Sequence, residues 1–282
     1  LIKFGPQKSV NFTGAVAENV DAVKKSLDDV VANLTIPDYS AAYSVFSDFV
    51  IANNINCSSP PSDTLILLNT TSASATWANI KHLFIFNNWE PTGLNLSACV
   101  NLISLGFING PGLTADQRTQ ISTLAKTYKK LQTLVVTDWG DSTIAAEAFS
   151  GTGEGADSGS LVRVIIHKAT IIQRNAFRFC CNLTTVFFPD VFRIQGEGAA
   201  NGAFSYCTSL TKVSFPSAEI LEIDPFSHCP SLVTASFPIA KSIGKWAFCD
   251  GTSLKVVIYP ATANVDSSAF DRCLSTLQIL NP

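Results

Sequence analysis

The chain has 282 residues, of which 46% are hydrophobic and only 15% are charged, and its formal net charge at pH 7 is −3. This composition is typical of a folded protein with a sparsely charged surface, in one or two domains. It excludes the basic patch by which proteins bind nucleic acid or anionic membranes. No apolar run reaches the roughly 18 residues that a membrane-spanning helix needs.

The first 60 residues carry a helical pattern that differs from the rest of the chain. Apolar residues from Val16 to Val31 recur at the spacing of one helical face, and Pro37 follows them. A second candidate helix runs through Phe46 and Val50. We therefore expect a helical unit over residues 1–60.

A third helix is predicted between Thr114 and Lys130, inside a region where other short segments look like strands. Asp116 lies near its start, as the positive end of a helix dipole favours. The residues expected on its apolar face are Ile121, Leu124, Ala125 and Tyr128.

The C-terminal half contains a repeat built on Ala-Phe, once Pro-Phe. A leucine follows six residues later, an apolar residue at nine, an aromatic at eleven and a proline at twelve, as in the segment from Phe204 to Pro216. A fixed period in the twenties is the signature of a solenoid. The repeated phenylalanines are Phe149, Phe177, Phe204, Phe226, Phe248 and Phe270.

Each repeat predicts one coil. Its Leu-x-x-apolar-x-aromatic segment forms a short strand that pairs in parallel with the next coil, and the remaining residues supply the crossover. Weaker copies extend toward the N-terminus, since residues 96–107 match residues 204–215 position for position. We predict a solenoid of about nine or ten coils over residues 61–282, with residues 1–60 as the cap that shields its first coil.

The segments Ile243 to Phe248 and Ala203 to Leu210, together with the Phe-Pro strand ends, resemble the BspA-like (Treponema pallidum-type) leucine-rich repeats. The resemblance implies a right-handed α/β solenoid with a short parallel sheet on its concave face. It also implies a secreted or cell-surface protein, because members with known roles mostly bind host matrix proteins or other cells.

Five of the eight cysteines occupy one position of the repeat, three residues after the Phe or its equivalent. Stacked coils bring such positions to about 5 Å, which permits disulfides between coils. The alternative is a column of small, buried, reduced thiols. The five are Cys99, Cys180, Cys207, Cys229 and Cys273.

No arrangement of residues predicts catalysis, a metal or a cofactor. The three histidines, His82, His167 and His228, fall on separate coils, so none is expected to activate a serine or cysteine. There is no Cys-x-x-Cys pair for zinc. We expect a protein that is not an enzyme.

Side-chain alternation places an apolar stripe on the outward face of the sheet, with two tryptophans just beyond the strand ends. Exposed apolar patches usually mark interaction sites. The alternative is that inserted segments or the cap cover the stripe. The expected partner-binding residues are Phe84, Trp89, Val135, Trp139, Arg163, Ile165, Phe187 and Lys212.

Six Asn-x-Ser/Thr sequons and the low charge favour a secreted or cell-surface glycoprotein. The primary hypothesis is a recognition or adhesion protein that binds a protein or glycan through the solenoid. The alternative is a structural subunit of an extracellular matrix, filament or coat, which associates with itself. The sequons begin at Asn11, Asn33, Asn56, Asn69, Asn95 and Asn182.

Overall fold

A computed structural model of the chain describes residues 64–68, 77–86, 96–108, 112–153 and 159–281. The helical cap over residues 1–60 lies outside these ranges and stays a prediction, as does the right-handed winding. Within them the fold is a series of short strands joined by turns, which fits the predicted repeat solenoid.

The described residues form sixteen strands, two 3₁₀ turns and one inserted helix. The 3₁₀ turns are Trp77–Asn79 and Leu96–Ala98, and the helix α1 is Ala115–Thr123, continued by a π-helical turn at Leu124–Tyr128. The strands are β1 Thr64–Leu68, β2 His82–Phe86, β3 Ser104–Ile108, β4 Thr133–Val136, β5 Thr143–Ile144, β6 Arg163–Ile166, β7 Ile171–Ile172, β8 Thr185–Phe187, β9 Arg193–Ile194, β10 Lys212–Ser214, β11 Ile220–Leu221, β12 Thr234–Ser236, β13 Ser242–Ile243, β14 Val256–Ile258, β15 Asn264–Val265 and β16 Gln278–Leu280.

Every strand pair in these ranges is parallel, as the repeat predicts. One sheet has the order β1-β2-β3-β4-β6-β8, and a second continues the series as β10-β12-β14-β16. The two-residue strands between them form a third sheet, β5-β7-β9-β11-β13-β15. Each coil from β4 onward therefore contributes one strand to the main series, and all except the last contribute a second strand to the short sheet.

The register follows the repeat frame residue for residue. Leu83 is opposite Leu105, Leu105 is opposite Leu134, and Leu134 is opposite Val164. All four side chains are buried in one continuous core. Their neighbours along the strand point to the other face of the sheet, because side chains alternate.

Two columns of stacked aromatic rings fill the core of the C-terminal half. In the first, the repeated phenylalanines from Phe149 to Phe270 stack coil on coil, with ring centroids 5.0–5.6 Å apart. In the second, Phe188, Phe215 and Phe237 from the strand ends stack at 5.8–5.9 Å. Rings of the two columns meet at tilted angles, an arrangement that aromatic pairs favour.

The Ala-Phe segments are turns that hydrogen-bond from one coil to the next. The N–H of Phe226 donates to the carbonyl of Ala247, and the N–H of His228 donates to the carbonyl of Cys249. The residue two positions after the phenylalanine has a positive φ in each of five coils, between 57° and 63°. Its side chain therefore leaves the turn on the side away from the core, at Phe179, Tyr206, His228, Asp250 and Arg272.

The inserted helix is confirmed over residues 115–128. Thr114 caps it, since its side chain accepts a hydrogen bond from the Gln117 N–H and the Gln117 side chain accepts one from the Thr114 N–H. Ile121 and Leu124 are buried as expected. Tyr128 is 40% exposed, so its place on the buried face was wrong. The π-helical turn shifts the helical face at this point.

The reduced-thiol alternative holds for Cys180, Cys207, Cys229 and Cys273. Each thiol donates to the carbonyl of the repeated phenylalanine in the preceding coil, with sulfur–oxygen distances of 3.1–3.2 Å. Burial raises the pKa of Cys229 to about 12 and that of Cys273 to about 11. Cys57 lies outside the described residues.

These thiols make the free energy of unfolding depend on pH in the alkaline range. Unfolding returns a thiol to its ordinary pKa of 9.0, so the unfolded chain releases protons above that pH that the folded chain keeps. The free energy of unfolding should be unaffected by these groups below pH 9.0 and fall as the pH rises toward 12. Urea denaturation under reducing conditions at about pH 8 and about pH 10 measures this fall.

The control is Cys229→Ala. Because one titrating thiol is removed, the variant should lose about 1 kcal/mol less than the wild type between the two pH values. Equal pH dependence in both proteins would contradict the buried-thiol account.

Candidate functional site

The sheet face expected to carry the apolar stripe is buried along its first strands. Phe84 is in register with Gly106 of β3, which is in register with Val135 of β4, and Val135 is in register with Ile165 of β6. The exposed fractions of Phe84, Val135 and Ile165 are 1%, 0% and 4%, yet none of them belongs to the continuous core on the other side of the sheet. Their expected exposure was wrong, because this part of the outward face is covered. The alternative of a covered stripe therefore holds here.

Trp139 is a core residue and does not form an exposed rim. It is 2% exposed, its indole N–H donates to the carbonyl of Thr143, and its ring lies 6.0 Å from that of Phe149. Its expected place at the edge of a binding surface was wrong, since the chain turns inward after β4. Trp89 lies outside the described residues.

From β8 onward the outward face opens to solvent. Thr185 and Lys212 are exposed, and Phe187 is half-buried with its ring edge-on to His167 at 5.7 Å. Arg163 at the boundary is also half-buried and is in register with Thr185. We call this region the open sheet face; its residues are Thr185, Phe187, Lys212, Ser214, Thr234, Ser236, Val256 and Ile258.

A second surface forms where the turns of successive coils stack. The rings of Phe179, Tyr206 and His228 lie parallel, with centroids 4.6 and 4.5 Å apart. The row then becomes charged, because His228 Nδ1 lies 3.1 Å from Asp250 Oδ2, and Arg272 Nη2 lies 2.9 Å from the same oxygen. One row thus runs from apolar to ionic along five coils.

Beside this row lies a groove of about 640 Å³, which we call the turn groove. Side chains from four coils meet there, including Tyr206, Asp224, His228, Trp246, Asp271 and Arg272. Sequence reasoning missed it. The only available signal was that the residues two positions after the repeated phenylalanine include Tyr, His, Asp and Arg, whereas a core position would stay apolar.

The turn groove does not resemble a nucleophilic site. Cys249 lines the turn groove, and its Sγ lies 3.1 Å from Arg272 Nη2. Burial raises the pKa of this thiol, whereas a catalytic cysteine needs a lowered pKa.

One histidine does contact a serine, contrary to expectation, because His82 Nδ1 lies 3.2 Å from Ser104 Oγ. Ser104 is 7% exposed and the pair is a register contact between β2 and β3.

Neither a metal centre nor a membrane span is formed by the described residues. No three of their His, Cys, Asp or Glu side chains come together as metal ligands would. None of their helices has the length and apolar character needed to cross a membrane.

Among the six sequons, only Asn182 falls in the described ranges. It is exposed in the turn before β8, where its Nδ2 donates to the carbonyl of Gly159 at 3.2 Å. Its glycosylation stays a prediction, and the other five asparagines lie outside the described residues.

Residues 142–278 match the family model described as the BspA type leucine rich repeat region, in six copies. A leucine-rich repeat protein from Bacteroides ovatus ATCC 8483 aligns over 78% of this chain with 18% identity and a TM-score of 0.37. The chain spans 58% of that protein. A leucine rich cell surface protein from Faecalibacterium prausnitzii A2-165 aligns over 77% of this chain and 86% of its own, with 15% identity and a TM-score of 0.25. Comparison with curated proteins gives no match.

The covered stripe is tested by Val135→Asp. A carboxylate at this buried position has no water to solvate it, so the free energy of unfolding should fall by at least about 3 kcal/mol in urea denaturation. Thr185→Asp on the exposed part of the same face is the matched control and should cost no more than about 1 kcal/mol. Equal tolerance of both substitutions would mean that the stripe is open.

Proposed function

We propose, from the BspA-type leucine-rich-repeat region that residues 142–278 form, that this chain is a secreted or cell-surface recognition protein. It binds a protein or glycan partner through the solenoid surface and carries no catalytic site. Its net charge of −3 speaks against nucleic acid as the partner.

The observation that carries this proposal is the open sheet face. It crosses four consecutive coils, and at about 4.8 Å per strand its outer strands are about 15 Å apart. The surface mixes apolar Phe187, Val256 and Ile258 with hydroxyl groups and the ammonium of Lys212. Protein interfaces have this mixture, and several short strands present it without reorganisation.

An extracellular location fits two further features. The sequons and the sparse charge are those of a secreted glycoprotein, and Asn182, in one of these sequons, is an exposed residue. The relative from Faecalibacterium is itself described as a cell surface protein.

The alternative function is a structural subunit of a matrix, filament or coat, which associates with itself. The open sheet face would then contact further copies of the chain, because it presents the half-buried apolar side chains of Phe187, Val256 and Ile258.

A binding assay with charge-reversed variants tests the recognition function. The purified chain is applied to immobilised extracellular-matrix glycoproteins, each in native and enzymatically deglycosylated form. Lys212→Glu combined with Thr234→Arg alters the charge and shape of the open sheet face and should weaken binding at least about tenfold. Lys126→Glu on the inserted helix is the matched charge reversal and should leave binding unchanged.

Binding that survives the double substitution would contradict the sheet-face assignment. Light scattering of the same protein separates the two functions. A monomer at all concentrations supports recognition, whereas assembly that grows with concentration supports the structural alternative.

A further inference from the structure

The turn groove has a wall that the regular repeat lacks. The coil between Phe177 and Phe204 is five residues longer than those that follow, and the extra residues fall within the segment 195–202. Ala199 and Ala200 in this segment have φ values of 53° and 57°, in the left-handed region that L-residues avoid.

The segment 195–202 packs against Asp224, whose carboxylate is buried. The N–H of Ala200 donates to Asp224 Oδ2 at 3.0 Å, and a Cβ on Gly202 would lie 1.9 Å from the Asp224 carbonyl oxygen, so only glycine allows this approach. Asp224 is 3% exposed although it borders the groove.

The Asp224 carboxylate has room for further hydrogen bonds. Burial raises its pKa, and the Ala200 amide and the charges of His228 and Lys245 oppose that rise. A carboxylate offers about four lone-pair sites. Ala200 N–H is the one hydrogen-bond donor to this carboxylate that we identify among the described residues. A ligand that donates from the groove would therefore recover solvation that burial removed.

The charges around the groove select against ions of either sign. Asp224 and Asp271 would repel an anion. Arg272 in the lining would repel a cation. The Lys245 ammonium lies 3.8 Å from the ring centroid of Trp246 and covers one face of this ring. Because the lining carries charges of both signs, it favours a neutral ligand with donors and acceptors over an ion of either sign.

The same lining offers acceptors, donors and an aromatic surface together. Asp224 and Asp271 accept, Arg272 donates, and half-buried Trp246 lines the groove with the part of its ring that Lys245 does not cover. Hydroxyl groups donate and accept at once, and a sugar ring carries several of them around a face of C–H groups. The volume of about 640 Å³ is within the range of small-molecule sites, roughly 300–1,000 Å³.

We propose that the turn groove binds a neutral, hydroxyl-rich sugar unit, with Asp224 accepting from its hydroxyls and Trp246 packing on its ring. This assigns a second site beyond the open sheet face and supplies the glycan part of recognition. The two sites lie on different sides of the coil, so either proposal can fail without the other.

Titration of the intact chain with small neutral glycosides tests the site. The probes are the methyl glycosides of mannose, galactose, fucose and N-acetylglucosamine, followed by saturation-transfer NMR and calorimetry. Methylammonium and inorganic phosphate serve as the cationic and anionic probes. We expect saturable binding of at least one glycoside and none of either ion.

Two variants locate the binding. Asp224→Asn keeps the shape and an acceptor for Ala200 but removes the charge that strengthens the hydrogen bonds, and it should weaken binding at least about tenfold. Trp246→Ala changes a half-buried side chain and should weaken binding similarly without unfolding the chain. Asp116→Asn, the same chemical change on the inserted helix, should have no effect.

Three results would overturn the proposal. They are no binding of any neutral glycoside, glycoside binding that both groove variants retain, and binding of either ion as strong as that of a glycoside.

Discussion

Stacking of one phenylalanine per coil is the interaction on which the rest of the structure depends. The centroids of these rings are 5.0–5.6 Å apart, close to the roughly 4.8 Å between hydrogen-bonded strands. A single coil cannot bury such a ring by itself, so each coil takes its stability from the two beside it. The turn hydrogen bonds, the thiols that donate to phenylalanine carbonyls and the strand register all repeat at this spacing.

The same constraint leaves the outer positions free to differ from coil to coil. The row that follows the stacked phenylalanines changes from the ring of Phe179 to the guanidinium of Arg272. On the sheet side, the coils from β8 onward expose threonine, serine and lysine where the earlier ones bury phenylalanine, valine and isoleucine. The proposed recognition would therefore involve residues from several coils, and rows on different sides of the coils would carry the two proposed sites.

The sequence predicted the features that depend on the spacing of the repeat. It did not predict which part of the outward sheet face is buried or where the backbone adopts positive φ values. The period identified the core phenylalanines, the parallel strands and the column of reduced or paired cysteines, because these are equivalent in every coil. Alternation assigned Val135 and Ile165 to the outward face correctly, but it does not tell whether other parts of the chain lie over that face. The turn groove includes Ala199 and Ala200, and two alanines in a sequence do not predict the positive φ values that they adopt. Trp139 looked like a rim residue because it follows a strand, whereas the chain there turns inward to pack it on Phe149.

Hydrogen exchange of Phe226→Ala tests the dependence on stacking most directly. Phe226 is fully buried between Phe204 and Phe248, with centroids 5.2 and 5.6 Å away. The account predicts that its removal lowers amide protection in both neighbouring coils, whereas Phe192→Ala, at a ring that is 37% exposed, leaves protection as in the wild type. Loss of protection confined to the coil of Phe226 would contradict the account.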